Sequence, residues 1–196
     1  MTIDLNELDQ KWDKKWPKDV NGLVTQLKDR EIWVRFHTLP NSKRYPENKE
    51  ELNVILDRHH ILLEELQLND MCYLFLSDWT NTQDPTISIW NEHKAVGIKG
   101  THWRTVMQDP EETDPEFKSY RQLYVSEYNC KDDTIDALLE AVANDTMAGV
   151  IIAPLGLQWL YHPYDGGVDI FLASTGQRDI LKDRHHDWLS RHSSGS

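Results

Sequence analysis

Three side chains around one tight turn have the types that acid–base chemistry needs. They are His162, Asp165 and Asp169, disposed about Tyr164-Asp165-Gly166-Gly167. An imidazole and a carboxylate within hydrogen-bond reach can take and return a proton, which is the basis for a hydrolase or nuclease-like reading. Folding accounts for part of this set without chemistry. A turn aspartate such as Asp165 bonds its own backbone. Asp169 shares a strand face with Phe171, so it is half-exposed or buried with a partner, for which Arg35 and Arg178 are available. These three are the catalytic candidates, and none is assigned a catalytic role.

The histidines are the next test. Asp57-Arg58-His59-His60 and Asp183-Arg184-His185-His186 repeat the same four residue types on two expected helices. Neighbours on a helix diverge by about 100°, so adjacent histidines cannot both serve one metal unaided. His59 falls among leucines and reads as a core histidine, while His185 flanks an apolar stripe and His186 faces solvent. His186 and His192 lack the i, i+4 spacing of a helical zinc site. No metal or cofactor is expected. Neither Cys72 nor Cys130 has a nucleophile signature, no serine lies in a glycine-flanked elbow, and Gly97-Ile98-Lys99-Gly100-Thr101 lacks phosphate-loop spacing. The two cysteines read as free buried thiols of a reducing compartment, with spatial adjacency as the alternative. Eight tryptophans suit core and interface packing.

The elements that position these residues follow from periodicity. Leu5, Leu8, Trp12 and Trp16 recur at helical spacing before Pro17, giving an amphipathic appendage over residues 1–17. Ile32 to His37 alternates as a strand. A long helix is expected to open after Tyr45 with Pro46 in its first turn. Its main apolar face holds Leu52, Ile55, Leu56, His59, Leu62, Leu63 and Leu66. Val54, Ile61 and Leu68 form a thinner second stripe, which is the candidate partner-facing surface. Strands are expected over Met71 to Leu76, Thr86 to Trp90, Ile98 to Met107, Tyr120 to Tyr128, Val150 to Ala153 and Trp159 to Tyr161. Asp132 starts a helix carrying Ile135, Leu138, Leu139, Val142 and Ala143 on one face.

The C-terminal unit is the most specific part of the chain. Asp165-Gly166-Gly167 is expected to supply positive-φ positions for a tight reversal. Pro163 cannot donate to a ladder, so pairing should end near His162 or lie at an edge. Val168, Ile170 and Leu172 share one strand face. Ser174 to Gln177 has capping-box spacing before a helix carrying Ile180, Leu181, Trp188 and Leu189 and ending near Leu189.

Tyr161-His162-Pro163-Tyr164-Asp165-Gly166-Gly167-Val168-Asp169-Ile170 resembles the hairpin motif of a bacterial family named only as a domain of unknown function (DUF3885). Asp187-Trp188-Leu189-Ser190 stands where that family has its closing helix, and Trp33-Val34-Arg35-Phe36 with Arg58-His59-His60 resemble its first strand and helix. The resemblance implies a fold and leaves function open. This chain has Gly166-Gly167 where the family often has charged residues.

The whole reads as a single α+β domain over residues 1–196, a largely antiparallel sheet with amphipathic helices packed on one face. The net charge is −12, from 33 acidic and 21 basic side chains. Such a chain repels phosphate backbones unless its basic residues cluster on one face, and the densest basic stretch, Lys11 to Lys18, alternates with Asp13 and tryptophans, so no nucleic-acid partner is expected and a basic protein is the better candidate. No apolar run spans a bilayer and the first residues lack a signal-peptide pattern, so no membrane partner and a cytoplasmic location are expected. Function then reads as a non-enzymatic acidic protein-binding module, one version being an immunity protein that neutralises a basic toxin. The alternative is the enzyme on His162, Asp165 and Asp169. A homodimer is a further reading.

Overall fold

The computed structural model describes residues 3–16, 27–28, 31–85, 98, 100–130 and 133–189. Strands β1 (Trp33–His37), β2 (Met71–Thr80), β3 (Thr101–Met107), β4 (Tyr120–Asn129), β5 (Val150–Pro154), β6 (Leu160–Tyr164) and β7 (Gly167–Phe171) form one sheet. The helices are α1 (Leu5–Lys15), α2 (Lys49–Glu65), α3 (Asp133–Ala143) and α4 (Thr175–Arg184). Sheet order is β1-β7-β6-β5-β2-β4-β3 and every pairing is antiparallel, giving the expected α+β class. The strand expected over residues 86–90 lies outside the described residues.

Alternation along the strands builds a core on each sheet face. Val34, Phe36, Leu74, Ile152, Tyr161, Val168 and Ile170 point to one face, where Leu62 and Leu63 of α2, Leu138 and Leu139 of α3, and Leu181 of α4 cover them. On the other face, Tyr73, Phe75, Trp103, Val125, Leu160 and Phe171 meet Leu8 and Trp12 of α1. Three of these helices therefore share a face, and α1 closes the opposite one. The Trp12 ring sits edge-on to Trp103 and Phe75, at centroid distances of 5.1 and 5.5 Å. Asp4 caps α1 by accepting from the Asn6 and Glu7 amides.

Helix α2 begins later than expected. Asn48 is its cap, accepting from the Glu51 amide at 2.9 Å, so Pro46 precedes the helix. The far end is a Schellman turn: Gln67, at φ 55°, donates to Glu64, and Leu68 donates to Leu63. Leu68 is thus beyond the helix and packs against the main core rather than continuing the Val54 and Ile61 stripe.

The C-terminal hairpin has the expected alternation but a different reason for its glycines. Tyr164 pairs with Gly167, so Asp165 and Gly166 make the turn, and neither adopts positive φ. Gly167 is demanded by crowding instead: a Cβ there would collide with the Phe36 carbonyl across the β1–β7 ladder. Pro163 pairs with Val168 on the β7 side, while the β5 side pairs only as far as Tyr161. The missing Pro163 N–H therefore interrupts nothing. Ser174 accepts from the Gln177 amide at 3.3 Å and caps α4. That helix stops at Arg184, short of Leu189, and leaves Ile180 exposed. A 3-10 turn, His186–Trp188, carries the chain to Leu189, which bridges to Phe36 at the outer edge of β1.

Candidate functional site

Strand register places Arg35, Asp169 and His162 in one row across β1, β7 and β6, since Asp169 is the direct cross-strand partner of both others. Asp169 is fully buried. The Arg35 guanidinium grips it with two bonds, Nε to Oδ1 at 2.7 Å and Nη2 to Oδ2 at 3.0 Å. The Trp33 indole donates to Oδ1 at 2.9 Å, and Lys28 Nζ lies 2.8 Å from Oδ2. Arg35 is itself flanked by the Trp33 and Tyr164 rings, 5.3 and 5.1 Å from their centroids. Of the two cations named from sequence, Arg35 is the partner. Arg178 instead bonds Asp179 and the Glu31 carbonyl.

Burial pushes the Asp169 carboxyl upward. The His162, Arg35 and Lys28 side chains outweigh that and hold it well below the usual carboxylate range. Arg35 is raised by its bond to Asp169 against the cost of burial, and burial raises Tyr164. His162 Nδ1 lies 3.9 Å from Asp169 Oδ2, too far for a hydrogen bond, and that buried nitrogen has no partner among the described residues. Asp165 is held elsewhere, by Arg44 Nε at 2.5 Å. The structure brings His162 and Asp169 together and leaves Asp165 at the turn. A carboxylate with every lone pair engaged by cations and an indole is a poor proton acceptor.

The remaining histidines are dispersed. His59 is buried, its Nδ1 lies 2.6 Å from the Tyr161 hydroxyl, and burial with the nearby His60 lowers its pKa to about 3. His60 pairs with Asp136, His185 with Glu65, and exposed His186 with Asp187. His192 lies outside the described residues, among which no three His, Cys, Asp or Glu side chains converge as metal ligands.

The sulfurs of Cys72 and Cys130 are brought within bonding reach of each other, the spatial adjacency that stood as the alternative to separate buried thiols. Antiparallel pairing of β2 with β4 sets Cys72 opposite Tyr128, two residues from Cys130, so the sulfurs meet diagonally on one face.

A model of the family described as "Domain of unknown function (DUF3885)" matches residues 23–193. The chain belongs to that family. No curated protein and no solved structure matches it. The DUF3885 match takes in the whole Asp169 row and all seven strands, but not α1.

Sequence reasoning missed Lys28, Trp33 and Tyr164 as members of the Asp169 cluster. Period-2 alternation already set Trp33 on the Arg35 face and Tyr164 on the His162 face. The absent signal was the pairing of β1 with β7, which joins positions more than a hundred residues apart.

Two of the three residues of the second α2 stripe lie at the surface. On the outer side of α2, Val54 and Ile61 are exposed at 37% and 41%. Glu50, Asp57 and Glu64 are exposed along the same side, interleaved with them. Rotations of 100° per residue bring these five positions into one narrow stripe, apolar anchors alternating with carboxylates. Among the described residues no element covers it.

Proposed function

We propose that this chain is a non-enzymatic acidic protein-binding module whose partner presents a basic amphipathic helix to the outer face of α2. An immunity-type protein that neutralises a basic toxin is one concrete form of this reading. The observation that carries it is the interleaved stripe: Glu50, Asp57 and Glu64 recur every seven residues, as do Val54 and Ile61, and all five are exposed. A partner helix with apolar residues at that spacing, flanked by lysine or arginine, meets both requirements at once. The overall charge of −12 adds long-range attraction for a basic partner. The hydrolase or nuclease-like alternative loses support because Asp165 is committed to Arg44 and Asp169 to Arg35, Trp33 and Lys28.

A synthetic amphipathic peptide of leucine and lysine, with that spacing, is the direct probe. Calorimetry should show binding that a scrambled peptide of equal charge lacks. Binding should also fall steeply toward about 1 M salt, where the Debye length is about 3 Å. Equal binding of both peptides counts against the stripe. A doubled solution mass that disappears in Ile61→Glu would assign the same face to a second copy instead.

A further inference from the structure

A second feature, independent of the α2 stripe, lies where α2, the end of β1 and the C-terminal 3-10 turn meet. Arg58 is half-buried there. Its guanidinium carbon lies 4.8 Å from the centroid of the Trp188 ring, and Nη1 donates to the His37 carbonyl at 2.7 Å. Stacking and one bond fix the guanidinium plane and leave most of its five donors unused. Among the described residues no carboxylate comes within ion-pair distance, in a chain with 33 acidic residues. Burial accordingly pushes Arg58 below the ordinary guanidinium range. A half-buried cation with no anion is an unfavourable arrangement unless something else supplies one.

The space beside it is a cleft of about 480 Å³, with His37, Leu39, Asn41, Ser42 and Trp188 among its walls. That volume is in the range of small-molecule sites, about 300–1,000 Å³. Asn41 and Ser42, on the outer wall, both sit in the left-handed region, at φ 58° and 57°. Two adjacent non-glycine residues in that region are strained backbone of the kind that gathers at ligand sites. Asp187, also lining the cleft, is exposed at the rim, and among the described residues its partner is the neighbouring His186.

We propose that this cleft binds a small oxyanion, of the phosphate or carboxylate class, anchored on the Arg58 guanidinium. The planar fork gives two parallel N–H donors to two oxygens, the geometry that selects carboxylates and phosphates over simple anions. Trp188 holds the fork in position and presents an apolar wall to the rest of the ligand. Asp187 repels polyanions and accepts from a hydroxyl or ammonium at the ligand's outer end. The ligand is therefore a compact molecule with one oxyanion rather than a nucleic-acid backbone.

Titration of the isotope-labelled full chain, with inorganic phosphate and separately with acetate, tests this by NMR. A saturable shift of the Trp188 indole N–H and the Arg58 side chain is expected in at least one titration. Saturation by both assigns oxyanions in general, and by one alone narrows the class. Arg58→Gln should weaken binding about tenfold or more, the loss of a charge-assisted pair. Arg58→Lys should fall between, because it keeps the charge but loses the fork. Arg184→Gln, at the surface pair with Glu65, should bind as the parent does. Saturation in neither titration, or undiminished saturation in folded Arg58→Gln, overturns the proposal. If that variant does not fold, the parent map decides: saturable shifts centred on Trp188 and His37 support the site, and shifts centred elsewhere overturn it.

Discussion

Asp169 and Arg35 face each other across the β1–β7 ladder, one guanidinium holding both oxygens of a carboxylate that water does not reach. The pair ties an edge strand to the hairpin that the sequence marks most strongly. Removing one partner strands a buried charge, which costs about 3–5 kcal/mol. Asp169→Asn and Arg35→Met should each lower stability by that order in denaturant titrations. Arg35→Met/Asp169→Leu together should cost clearly less than the sum. Because the folded Asp169 pKa lies below its ordinary value of 3.8, its contribution is complete above that pH and is lost as pH falls through the folded value.

His59 gives a second pH dependence in a different window. Its pKa drops from 6.5 to about 3 on folding. Between those values the unfolded chain binds a proton that the folded chain refuses. Stability is therefore complete above pH 6.5 and falls as pH drops through this window, by on the order of 5 kcal/mol in full. Equilibrium unfolding across pH 4–7 should show that slope. The double variant His59→Leu/Tyr161→Phe should flatten it while staying within about 1 kcal/mol of the parent at pH 7, whereas His59→Leu alone leaves the Tyr161 hydroxyl buried without a partner and costs about 1–3 kcal/mol.

Two glycines of the C-terminal unit should respond oppositely to alanine. At Gly167 a Cβ meets the Phe36 carbonyl, so Gly167→Ala should destabilise by several kcal/mol, about the upper range for single changes. At Gly176, in α4, a Cβ meets nothing within 4 Å, so Gly176→Ala should stabilise by about 0.5–1 kcal/mol. Thermal melts of the two variants side by side check both signs.

What the sequence shows depends on how local the cause is. Alternation alone put Val168, Ile170 and Leu172 on one face and Asp169 on the other. Helical periodicity found the buried side of α2, including His59. Alternation sets Asp169 beside Phe171, which leaves it half-exposed or buried with a partner, and Arg35 is one of the two partners the sequence offers. Relations across the sheet were not legible. Amphipathicity shows that Leu8 and Trp12 are buried but not which face of the sheet they cover. Capping at Asn48 competes with the Pro46 signal only two residues away. The stacking of Arg58 on Trp188 and the meeting of Cys72 with Cys130 join distant positions that no local pattern relates.

Surface changes on α2 separate binding from folding. Val54→Ser and Ile61→Ser remove exposed apolar groups, so stability should stay within about 0.5 kcal/mol of the parent. Affinity for the amphipathic leucine–lysine peptide should fall about tenfold or more, since central apolar anchors carry most of an interface.

The central claim is that the outer face of α2 meets a basic protein. Its most direct test is site-specific photo-crosslinking in the cells the protein comes from, with the reactive group at position 54 or 61. A control places it at 117, where Phe117 is exposed at 71% on another surface. Adducts from 54 and 61 to one basic protein, absent from 117 and lost at high salt, are the expected result. No adduct from 54 or 61, or equal adducts from 117, would contradict the account.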